Sequence, residues 1–356
     1  MTSPASPRAQ VVGTGLMGAS IGLALRARGW FVTGRDRDPA RAAQAAALGA
    51  VDEVGTDSGA EITFVATPVS TVAAEAIAAL DAGPGLVTDV GSVKAPIVSA
   101  VDSPRFVGGH PMAGSEQEGV DGADPALFEG ATWVLTPNES TDSAAFARIR
   151  TVVASLGADV VAVSPERHDE LVAVVSHVPH LTAATLMGLA AEGAEEHAAM
   201  LRLAAGGFRD MTRIAAGHPG IWPDICAENR AAIVGTLDRL VVALGEMRDV
   251  VAAGDRGGLL AVLESARHAR ANLPSRVVQP DALVEVRVPV LDRPGALAEV
   301  TTCASALAIN IVNLDLAHSL EGDRGVLVLV VDADDGERLR AELAGRGYRP
   351  AVQSLG

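Results

Sequence analysis

The chain has 356 residues, which is long enough for two or three domains of ordinary size. Apolar residues make up 49% and charged residues 20%, a composition typical of folded globular proteins. The net charge of −16 argues against binding to nucleic acid or to an anionic membrane, because both require a basic surface. The two cysteines cannot form a disulfide framework or a cysteine-rich zinc site, and the first residues do not read as a signal peptide. We therefore expect a cytoplasmic protein without a metal site.

Short apolar runs alternate with helical patterns in the first half of the chain. Strands are predicted at residues 10–12, 31–34, 62–66, 86–90, 105–108, 132–135 and 160–163. Helices are predicted between them, at residues 16–28, 39–48, 70–80, 95–101 and 144–156. This alternation is typical of an α/β domain with a doubly wound parallel sheet, which we assign to residues 8–164.

The middle of the chain is predicted to be helical. The strand signals stop near residue 165, and long segments rich in alanine and leucine predict an all-helical domain over residues 165–275. Residues 171–190 contain no charged side chain and are long enough to cross a bilayer, but His177, Pro179 and His180 lie in the middle of them. We interpret this stretch as a helix buried on all sides, inside a large domain or at a dimer interface.

The last part of the chain is predicted to be a separate small domain. Residues 273–281 contain two prolines and are typical of a linker. Strand and helix patterns then follow in the order β-α-β-β-α-β, within residues 282–356. That order predicts a ferredoxin-like fold.

A glycine-rich motif follows the first predicted strand. Gly13, Gly15 and Gly18 fit the pattern G-x-G-x-x-G, and Leu16 and Met17 open the next helix. In Rossmann-type domains the first glycine permits a tight turn, the second lets the backbone approach a pyrophosphate, and the third packs helix on strand. The N-terminus of the helix then faces the phosphates with its positive end. The motif predicts a dinucleotide-binding Rossmann-type domain.

The residues after the next strands indicate which dinucleotide binds. Asp36 follows Gly18 by 18 residues, at the end of the second predicted strand. A carboxylate there accepts hydrogen bonds from the ribose hydroxyls and repels a 2′-phosphate, which favours NAD over NADP. Arg35 and Arg37 flank this carboxylate and leave NADP open as an alternative. Thr67 follows a third strand and is a further candidate for cofactor binding.

Two polar residues follow later strands of the predicted sheet. Ser92 comes after the strand at 86–90, and His110 comes after the strand at 105–108. Ligands bind beyond the carboxyl ends of strands in open parallel sheets, so both side chains are expected to line the cleft. A histidine titrates near neutral pH and can take a proton from a substrate hydroxyl as a hydride leaves. The alternative for His110 is a loop histidine bonded to backbone.

The helical part contains further candidate residues. His177 and His180 are three positions apart on one helix face, and Pro179 is expected to kink that helix. We expect His180 to contact substrate and His177 to form a buried hydrogen bond between helices. A metal pair lacks an acidic or cysteine ligand at matching spacing. Arg213 is suited to binding a carboxylate through two hydrogen bonds, and its alternative is a surface ion pair with Asp210.

The basic residues have an unusual distribution. Lys94 is the single lysine among 28 basic residues, and all the others are arginine. One explanation is a site that needs a compact ammonium group and does not accept a planar guanidinium. The other explanation is chance survival on the surface.

Together the motifs resemble those of the prephenate/arogenate dehydrogenases of tyrosine biosynthesis. They cover about residues 8–275 in the order of the family: G-T-G-L-M-G, D-V-G-S-V-K, G-G-H-P-M-A-G-S-E, H-D-x(6)-S-H-x-P-H, G-F-R-D-M-T-R-I-A and I-W-P-D-I-C-x-E-N-R. The resemblance implies a homodimer formed through the helical domain, with NAD as cofactor. It also implies oxidative decarboxylation of prephenate to 4-hydroxyphenylpyruvate, in which NAD takes a hydride, CO2 leaves and the ring becomes aromatic.

The resemblance also implies roles for individual residues. His110 bonds the 4-hydroxyl of the substrate and accepts its proton, while Ser92 bonds the same hydroxyl or His110. Arg213 binds the carboxylate of the pyruvyl side chain, with His180 beside it. Two further residues are candidates for supporting positions, Glu116 and Asp210.

The C-terminal segment resembles an ACT domain, a regulatory module that some members of the family carry. The similarity lies in the sequence D-R-P-G-A-L at residues 292–297. Gly295 leaves space where the polar ends of a ligand could reach the start of a helix. Asp292 and Asn310 are further candidates for effector contacts. The resemblance implies feedback by tyrosine, with phenylalanine as the rival effector and a purely dimerising domain as the alternative.

Three other functions remain open from the sequence. Arogenate, which has an amino group where prephenate has a keto group, could be the substrate. Dehydrogenases of the 3-hydroxyacid type share the first motif, but they usually carry a catalytic lysine on the helical domain, where this chain has none. A non-catalytic sensor of NAD and an amino acid would need neither His110 nor Ser92 nor Arg213.

Overall fold

The computed structural model describes residues 6–115, 117, 119–196, 203–271, 283–291, 293–318 and 324–354. Internal contacts group the chain into two compact units, residues 1–249 and 250–356, and each unit is described by itself. The first unit contains the predicted α/β domain and most of the predicted helical domain. The second contains the last long helix and the C-terminal segment.

The first unit has eight described strands in one sheet. They are Arg8–Val12 (β1), Phe31–Arg35 (β2), Glu53–Val54 (β3), Ile62–Val65 (β4), Leu86–Asp89 (β5), Phe106–Pro111 (β6), Thr132–Thr136 (β7) and Asp159–Ala162 (β8). The helices between them are Leu16–Arg26 (α1), Pro39–Ala47 (α2), Val69–Ala82 (α3), Ala95–Ala100 (α4) and Ser143–Ser155 (α5). The predicted elements are confirmed within a few residues, and the short exposed strand β3 is an addition.

The sheet has the order β3-β2-β1-β4-β5-β6-β7-β8. The first six strands are parallel to one another, but β7 pairs with β6 in the antiparallel direction, and β8 then runs parallel to β7. The prediction of an all-parallel sheet is therefore wrong for the last two strands. Among the described residues of the β6–β7 connection there is only a 3-10 turn, Val120–Gly122, and no helix that would carry the chain back to the opposite edge.

The β6–β7 connection, residues 112–131, instead reaches the helices near the start of the chain. Val120 is buried in a small cluster with Ala19 of α1 and Ala45 of α2. The backbone N–H of Asp124 donates to the Ser20 hydroxyl at 3.1 Å, which joins the connection to α1 by a hydrogen bond. The connection therefore runs along the sheet edge from β6 to α1.

The helical part of the first unit begins directly after β8. Its helices are Pro165–Val172 (α6), Val178–Glu196 (α7), Gly206–Thr212 (α8), Trp222–Glu228 (α9) and Arg230–Ala252 (α10). Val93, from the loop between β5 and α4, packs in one cluster with Ala173, Val178 and Ile225. The sheet and these helices thus share a buried core.

A π-helical turn, Ala173–His177, joins α6 to α7. Pro179 lacks the N–H that would bond the carbonyl four residues earlier, and its ring crowds that carbonyl, so a wider turn relieves the conflict. The expected kink at Pro179 takes this form. The N–H of Val178 donates to the carbonyl of Ala173, five residues back.

The apolar helix in this region is less buried than expected. The stretch Pro165–Glu192 is apolar and long enough to cross a membrane by length and composition, a test that core helices of soluble proteins also pass. Within the single chain Val175 is 66% exposed and Leu189 62% exposed, so the prediction of a helix buried on all sides within one domain is wrong. The alternative, a helix at an interface between subunits, is compatible with this exposed apolar surface.

The second unit contains a helix followed by a four-stranded antiparallel sheet. Its elements are Arg256–Ala271 (α11), Leu283–Leu291 (β9), Ala296–Ala306 (α12), Asn313–His318 (β10), Arg324–Asp332 (β11), Ala333–Gly345 (α13) and Ala351–Ser354 (β12). The sheet order is β10-β11-β9-β12, and its core includes Val286, Leu329, Val300 and Leu339. The β-α-β-β-α-β order expected from the sequence is present.

Candidate active site

The glycine motif forms a tight loop between β1 and α1. Gly13 has a φ of +90°, and a Cβ atom at this position would lie 2.5 Å from the carbonyl oxygen of Ala66. A Cβ atom on Gly18 would lie 1.9 Å from the carbonyl oxygen of Gly13, so this glycine is required for close packing of α1 on the loop. A Cβ atom on Gly15 would meet nothing within 4 Å. Gly15 therefore leaves open space in front of the first turn of α1, which begins with Leu16 and Met17.

Asp36 lies beside this loop, just after β2. Its carboxylate accepts hydrogen bonds from the backbone N–H of Thr14 at 2.9 Å and from that of Asp38 at 3.0 Å. Arg35 is engaged in an ion pair with Glu75, while Arg37 is exposed. The Asp36 carboxylate is thus fixed at the glycine loop, and Arg35 pairs with Glu75 and not with Asp36.

Two buried hydroxyl groups at the same edge fit a bound dinucleotide. The Oγ1 atoms of Thr14 and Thr67 are buried and have no hydrogen-bond partner among the described residues. A buried polar group without a partner is costly, so such atoms favour a ligand that supplies hydrogen bonds. Together with the open space at Gly15 and the carboxylate of Asp36, the residues present fit the pyrophosphate and ribose of NAD.

His110 does not lie in a loop after its strand, as expected, but inside β6. The antiparallel pairing with β7 extends β6 to Pro111 and sets His110 opposite Val134. The ring is not bonded to backbone among the described residues. Its Nδ1 atom lies 2.8 Å from Nε2 of His168 on α6. The two rings meet edge to face, with centroids 5.0 Å apart.

The chain of hydrogen bonds continues to Asp169. Nδ1 of His168 lies 2.7 Å from Oδ1 of Asp169, whose carboxylate also accepts the backbone N–H groups of Lys94 and Ala95. Because a carboxylate only accepts, the proton between them is on His168 Nδ1. In a neutral His168, Nε2 is then an acceptor, so Nδ1 of His110 is the donor. This assignment leaves Nε2 of a neutral His110 unprotonated.

The surroundings of His110 favour the neutral ring. Burial lowers its pKa well below the usual value of 6.5, and the neighbouring His168, Lys94 and His177 lower the pKa further. A neutral imidazole with one unprotonated nitrogen can act as a general base at physiological pH. The sequence did not indicate that His168 would be the hydrogen-bond partner of His110. The feature that could have indicated His168 is the polar pair His168-Asp169 on the helix that follows the last strand of the sheet.

Ser92 lies three residues after the end of β5 and is half-buried. The first six strands are parallel, so Ser92 and His110 lie at the carboxyl ends of neighbouring strands. Among the described residues the hydrogen-bond partner of the His110 ring is His168, and not Ser92. The Ser92 role therefore stays a prediction.

The two helical histidines have different environments. His177 is buried, and its Nδ1 lies 3.2 Å from the side-chain nitrogen of Asn229, between α9 and α10, as expected for a bond between helices. Burial lowers the pKa of His177 to about 4. His180 instead stacks on Trp222, with ring centroids 3.7 Å apart and planes 13° apart. The ring of His180 is thereby fixed by an aromatic partner that the sequence did not indicate.

Two of the remaining predicted substrate residues, Arg213 and Asp210, lie in or near α8. Arg213 is exposed and begins the 3-10 turn Arg213–Ala216, which packs against α7, the helix that carries His180. Asp210 is exposed on α8. Glu116 lies outside the described residues. The structure thus places Arg213 and His180 on neighbouring elements, and their roles stay predictions.

The predicted effector residues belong to the second unit. Gly295 has a φ of +92° and caps the N-terminus of α12, beside a cavity of about 1000 Å³. Arg293, Glu299 and Tyr348 also line this cavity, and Glu299 accepts hydrogen bonds from both of the others. Asn310 is exposed and is not among the described lining residues, and Asp292 lies outside the described residues.

Comparison with known proteins identifies related sequences along most of the chain. The family model described as "Prephenate dehydrogenase, nucleotide-binding domain" matches residues 21–162, and that described as "Prephenate dehydrogenase, dimerization domain" matches residues 164–265. A prephenate dehydrogenase of Bacillus subtilis is 34% identical over 348 residues, which cover 93% of this chain and 94% of the relative. A cyclohexadienyl dehydrogenase of Zymomonas mobilis is 32% identical over 275 residues, covering 73% of this chain and 94% of the relative.

Solved structures give the same result. Prephenate dehydrogenase from A. aeolicus, in complex with hydroxyphenyl propionate and NAD+, superposes with a TM-score of 0.71 at 30% identity, over 77% of this chain and 100% of that chain. Arogenate dehydrogenase from Synechocystis superposes with a TM-score of 0.66 at 31% identity, over 75% of this chain and 100% of that chain. The glycine loop agrees with these similarities, and the chain belongs to the prephenate dehydrogenase family.

Proposed function

We propose that this protein is an NAD-dependent dehydrogenase that oxidatively decarboxylates prephenate to 4-hydroxyphenylpyruvate, a step of tyrosine biosynthesis. The observation that carries the proposal is the hydrogen-bond chain from His110 through His168 to Asp169, which leaves Nε2 of His110 unprotonated. A base of this kind is needed because the substrate loses a hydroxyl proton as it is oxidised.

The reaction needs a proton acceptor and hydrogen bonds that fix the 4-hydroxyl of the substrate ring. Nε2 of His110 accepts the proton of the 4-hydroxyl, and Ser92 bonds the same hydroxyl or the His110 ring. NAD, when bound, accepts the hydride from the ring carbon that carries the hydroxyl. The bond between the ring and its carboxylate breaks, CO2 leaves, and the bonding electrons make the ring aromatic. The 4-oxygen then takes the proton back from His110 and becomes the hydroxyl of the product. The low pKa of His110 keeps the base ready at neutral pH.

The substrate is held at its side chain by residues of the helical region. Arg213 binds the carboxylate of the pyruvyl group, and its guanidinium provides two parallel hydrogen bonds for this purpose. His180, fixed on Trp222, lies beside this group. Two further residues support the site, Glu116 and Asp210.

The cofactor is NAD, with Asp36 as the residue that disfavours NADP. Gly13, Gly15 and Gly18 shape the loop, and Thr67 is a further contact. The carboxylate of Asp36 has free acceptor positions for ribose hydroxyls, since each of its oxygens accepts one bond from backbone. A 2′-phosphate would meet a negative charge here.

The chain is divided into three parts and acts as a cytoplasmic homodimer. The parts are residues 8–164, 165–275 and 282–356, and the two family models meet between residues 162 and 164, close to the first boundary. The exposed apolar residues on α7 and α10, such as Leu189 and Val241, support an interface between two helical domains.

The third part is an ACT regulatory domain that binds tyrosine and inhibits the enzyme. Its β-α-β-β-α-β order and the open space at Gly295 support this role. The cavity contains arginine side chains that suit a carboxylate and a glutamate that suits an ammonium group, the two charged ends of an amino acid. Asp292 and Asn310 are further candidate contacts.

The experiment is a spectrophotometric assay for NADH with purified protein. Prephenate and arogenate are each supplied with NAD and with NADP. The proposal expects turnover with prephenate and NAD. Preferred turnover of arogenate would assign the protein to the second activity of the family, that of the Synechocystis structure. No turnover with either acid would favour a non-catalytic sensor.

A further inference from the structure

A buried ion pair joins the ends of β5 and β6 beside the candidate site. Asp89 is the last residue of β5, and Lys94 is the residue just before α4. Both side chains are 0% exposed, and the Lys94 ammonium bonds directly to the Asp89 carboxylate. Two opposite charges out of contact with water are retained only where their geometry and hydrogen bonds are good.

The pair holds the backbone on both sides of the site. Asp89 accepts the N–H of Gly91 at 2.8 Å and the N–H of Gly109 at 3.0 Å. Lys94 Nζ donates to the carbonyl of Gly109 at 2.8 Å. Both the N–H and the C=O of Gly109, the residue directly before His110, are therefore bonded to this ion pair.

The same pair acts on Ser92 through the preceding residue. Gly91 is bonded to Asp89 and is directly followed by Ser92. The two side chains proposed to contact the 4-hydroxyl thus extend from backbone that is fixed by one carboxylate and one ammonium group. A bond to backbone at the preceding residue limits where the next side chain can point.

The surroundings of Lys94 favour a lysine over an arginine. A Cβ atom added to Gly91 would lie 3.5 Å from Lys94 Nζ, and one added to Gly108 would lie 3.5 Å from its Cδ. The Lys94 side chain therefore runs beside two glycines, and it is fully buried there. A point-like ammonium reaches both Asp89 and Gly109 there, whereas a planar guanidinium needs more space.

We propose that Asp89 and Lys94 are positioning residues, which fix the Gly91 and Gly109 peptides and thereby aim Ser92 and His110 at the substrate hydroxyl. The inference rests on the proposed function, because it takes His110 as the base. Lys94 also adds to the electrostatic environment of His110, which faces His168 on α6, His177 on the π-turn and Lys94 itself. Asp169 lies next in the chain of bonds, beside His168.

The test is the double variant Asp89→Asn/Lys94→Met in the full chain, which removes both charges together and leaves no unpaired ion. We expect kcat with prephenate to fall by about 10- to 100-fold, because small displacements of reacting groups are costly. We expect the KM for NAD to stay within about twofold, since NAD binds at other strands.

Hydrogen exchange provides a readout that does not need turnover. The amides of Gly91 and Gly109 are expected to exchange faster in the double variant, while those of β1 and β2 do not change. Unchanged exchange at both glycines would overturn the inference even if the wild type were inactive with prephenate. An inactive wild type with faster exchange in the variant would instead refute the proposed function alone.

Two further variants separate positioning from general stability. Val87→Ala truncates a buried residue of β5 outside the ion pair and lowers stability by itself. If this control loses as much kcat as the double variant and raises exchange at Gly91 and Gly109 equally, the pair is only structural and the inference is wrong. Lys94→Arg keeps the charge and serves if the double variant does not fold. It is expected to lose at least about tenfold in kcat, and a wild-type kcat would overturn the inference.

Discussion

The Nδ1 atom of His110 lies 2.8 Å from Nε2 of His168, although the two residues are 58 positions apart in the chain. One histidine belongs to the sheet and the other to the first helix after it, so the contact forms only when the helical region packs on the sheet. Because His168 is in turn bonded to Asp169, the proton positions in both rings are determined by a single carboxylate. The position of the proton on the His110 ring therefore depends on tertiary structure.

The first prediction concerns His110 itself. His110→Asn is expected to fold and bind NAD normally, and to lose about 10²–10⁴-fold in kcat, the usual contribution of a positioned general base. In the wild type, kcat/KM is expected to fall on the acid side of its pH profile only below pH 6.5, because burial keeps the pKa of His110 below that value. Steady-state rates as a function of pH check both points, with His268→Asn on the exposed face of α11 as control. Near wild-type turnover of His110→Asn would exclude it as the base.

The second prediction concerns cofactor choice. Asp36→Ser is expected to raise the ratio of kcat/KM with NADP to that with NAD, because it removes a negative charge from the 2′-phosphate position. Asp38→Ser, two residues further and at the start of α2, is the matched control. If the wild type already uses NADP as well as NAD, the neighbouring arginines dominate and the assignment of Asp36 is wrong.

The third prediction concerns substrate binding. Arg213→Ala is expected mainly to raise the KM for prephenate, because a carboxylate contact made in the ground state is lost. A loss of one such charged hydrogen-bonded contact corresponds to about 10- to 100-fold in KM. Arg209→Ala, one helical turn earlier, is the control and is expected to change KM little. An unchanged KM in Arg213→Ala would contradict the proposed role.

The fourth prediction concerns stability at low pH. The pKa of His177 is lowered from 6.5 to about 4 in the folded protein, so the unfolded chain binds this proton first as the pH falls. Stability is unaffected by His177 above pH 6.5 and is lost progressively between pH 6.5 and about 4, with a slope of at most about 1.4 kcal/mol per pH unit. Urea unfolding at several pH values measures this slope. His177→Gln is expected to flatten it, and an equal slope in both proteins would contradict the assignment.

The fifth prediction concerns the C-terminal segment. Deleting residues 280–356 is expected to leave catalysis with prephenate and NAD, and to abolish inhibition by tyrosine. Inhibition curves with tyrosine and with phenylalanine, for the full chain and the truncated one, identify the effector and its location. A truncated enzyme that stays equally sensitive to tyrosine would place inhibition at the active site, where a product-like ring competes with substrate.

Much of the α/β fold could be predicted, because buried strands have apolar runs that the sequence displays directly. The glycine loop was also predictable, since Gly13 and Gly18 are required by backbone geometry that no other residue fits. The direction of β7 was not predictable, because an apolar run looks the same in either orientation. The π-turn before Pro179 likewise has no pattern of its own in the sequence.

The site was predicted in part. The predicted strand positions were enough to place His110 and Ser92 near the carboxyl ends of neighbouring strands, but not to find His168 as the partner of the His110 ring. His168 looked like the start of a helix, and Asp89 like the polar end of a strand. Their functions depend on contacts across large sequence separations, which spacing along the chain does not reveal. Lys94 was noticeable only because it is the one lysine.

The connection between β6 and β7 contacts helices that lie near the start of the chain. It begins after Pro111, the last residue of β6, and is attached to α1 through Ser20, on the helix that follows the glycine loop. The described part of this segment therefore connects the strand that carries His110 to the helix that follows the glycine loop. A substitution of Ser20 or Val120 is therefore expected to loosen the contact between these two elements without altering a residue of the proposed site.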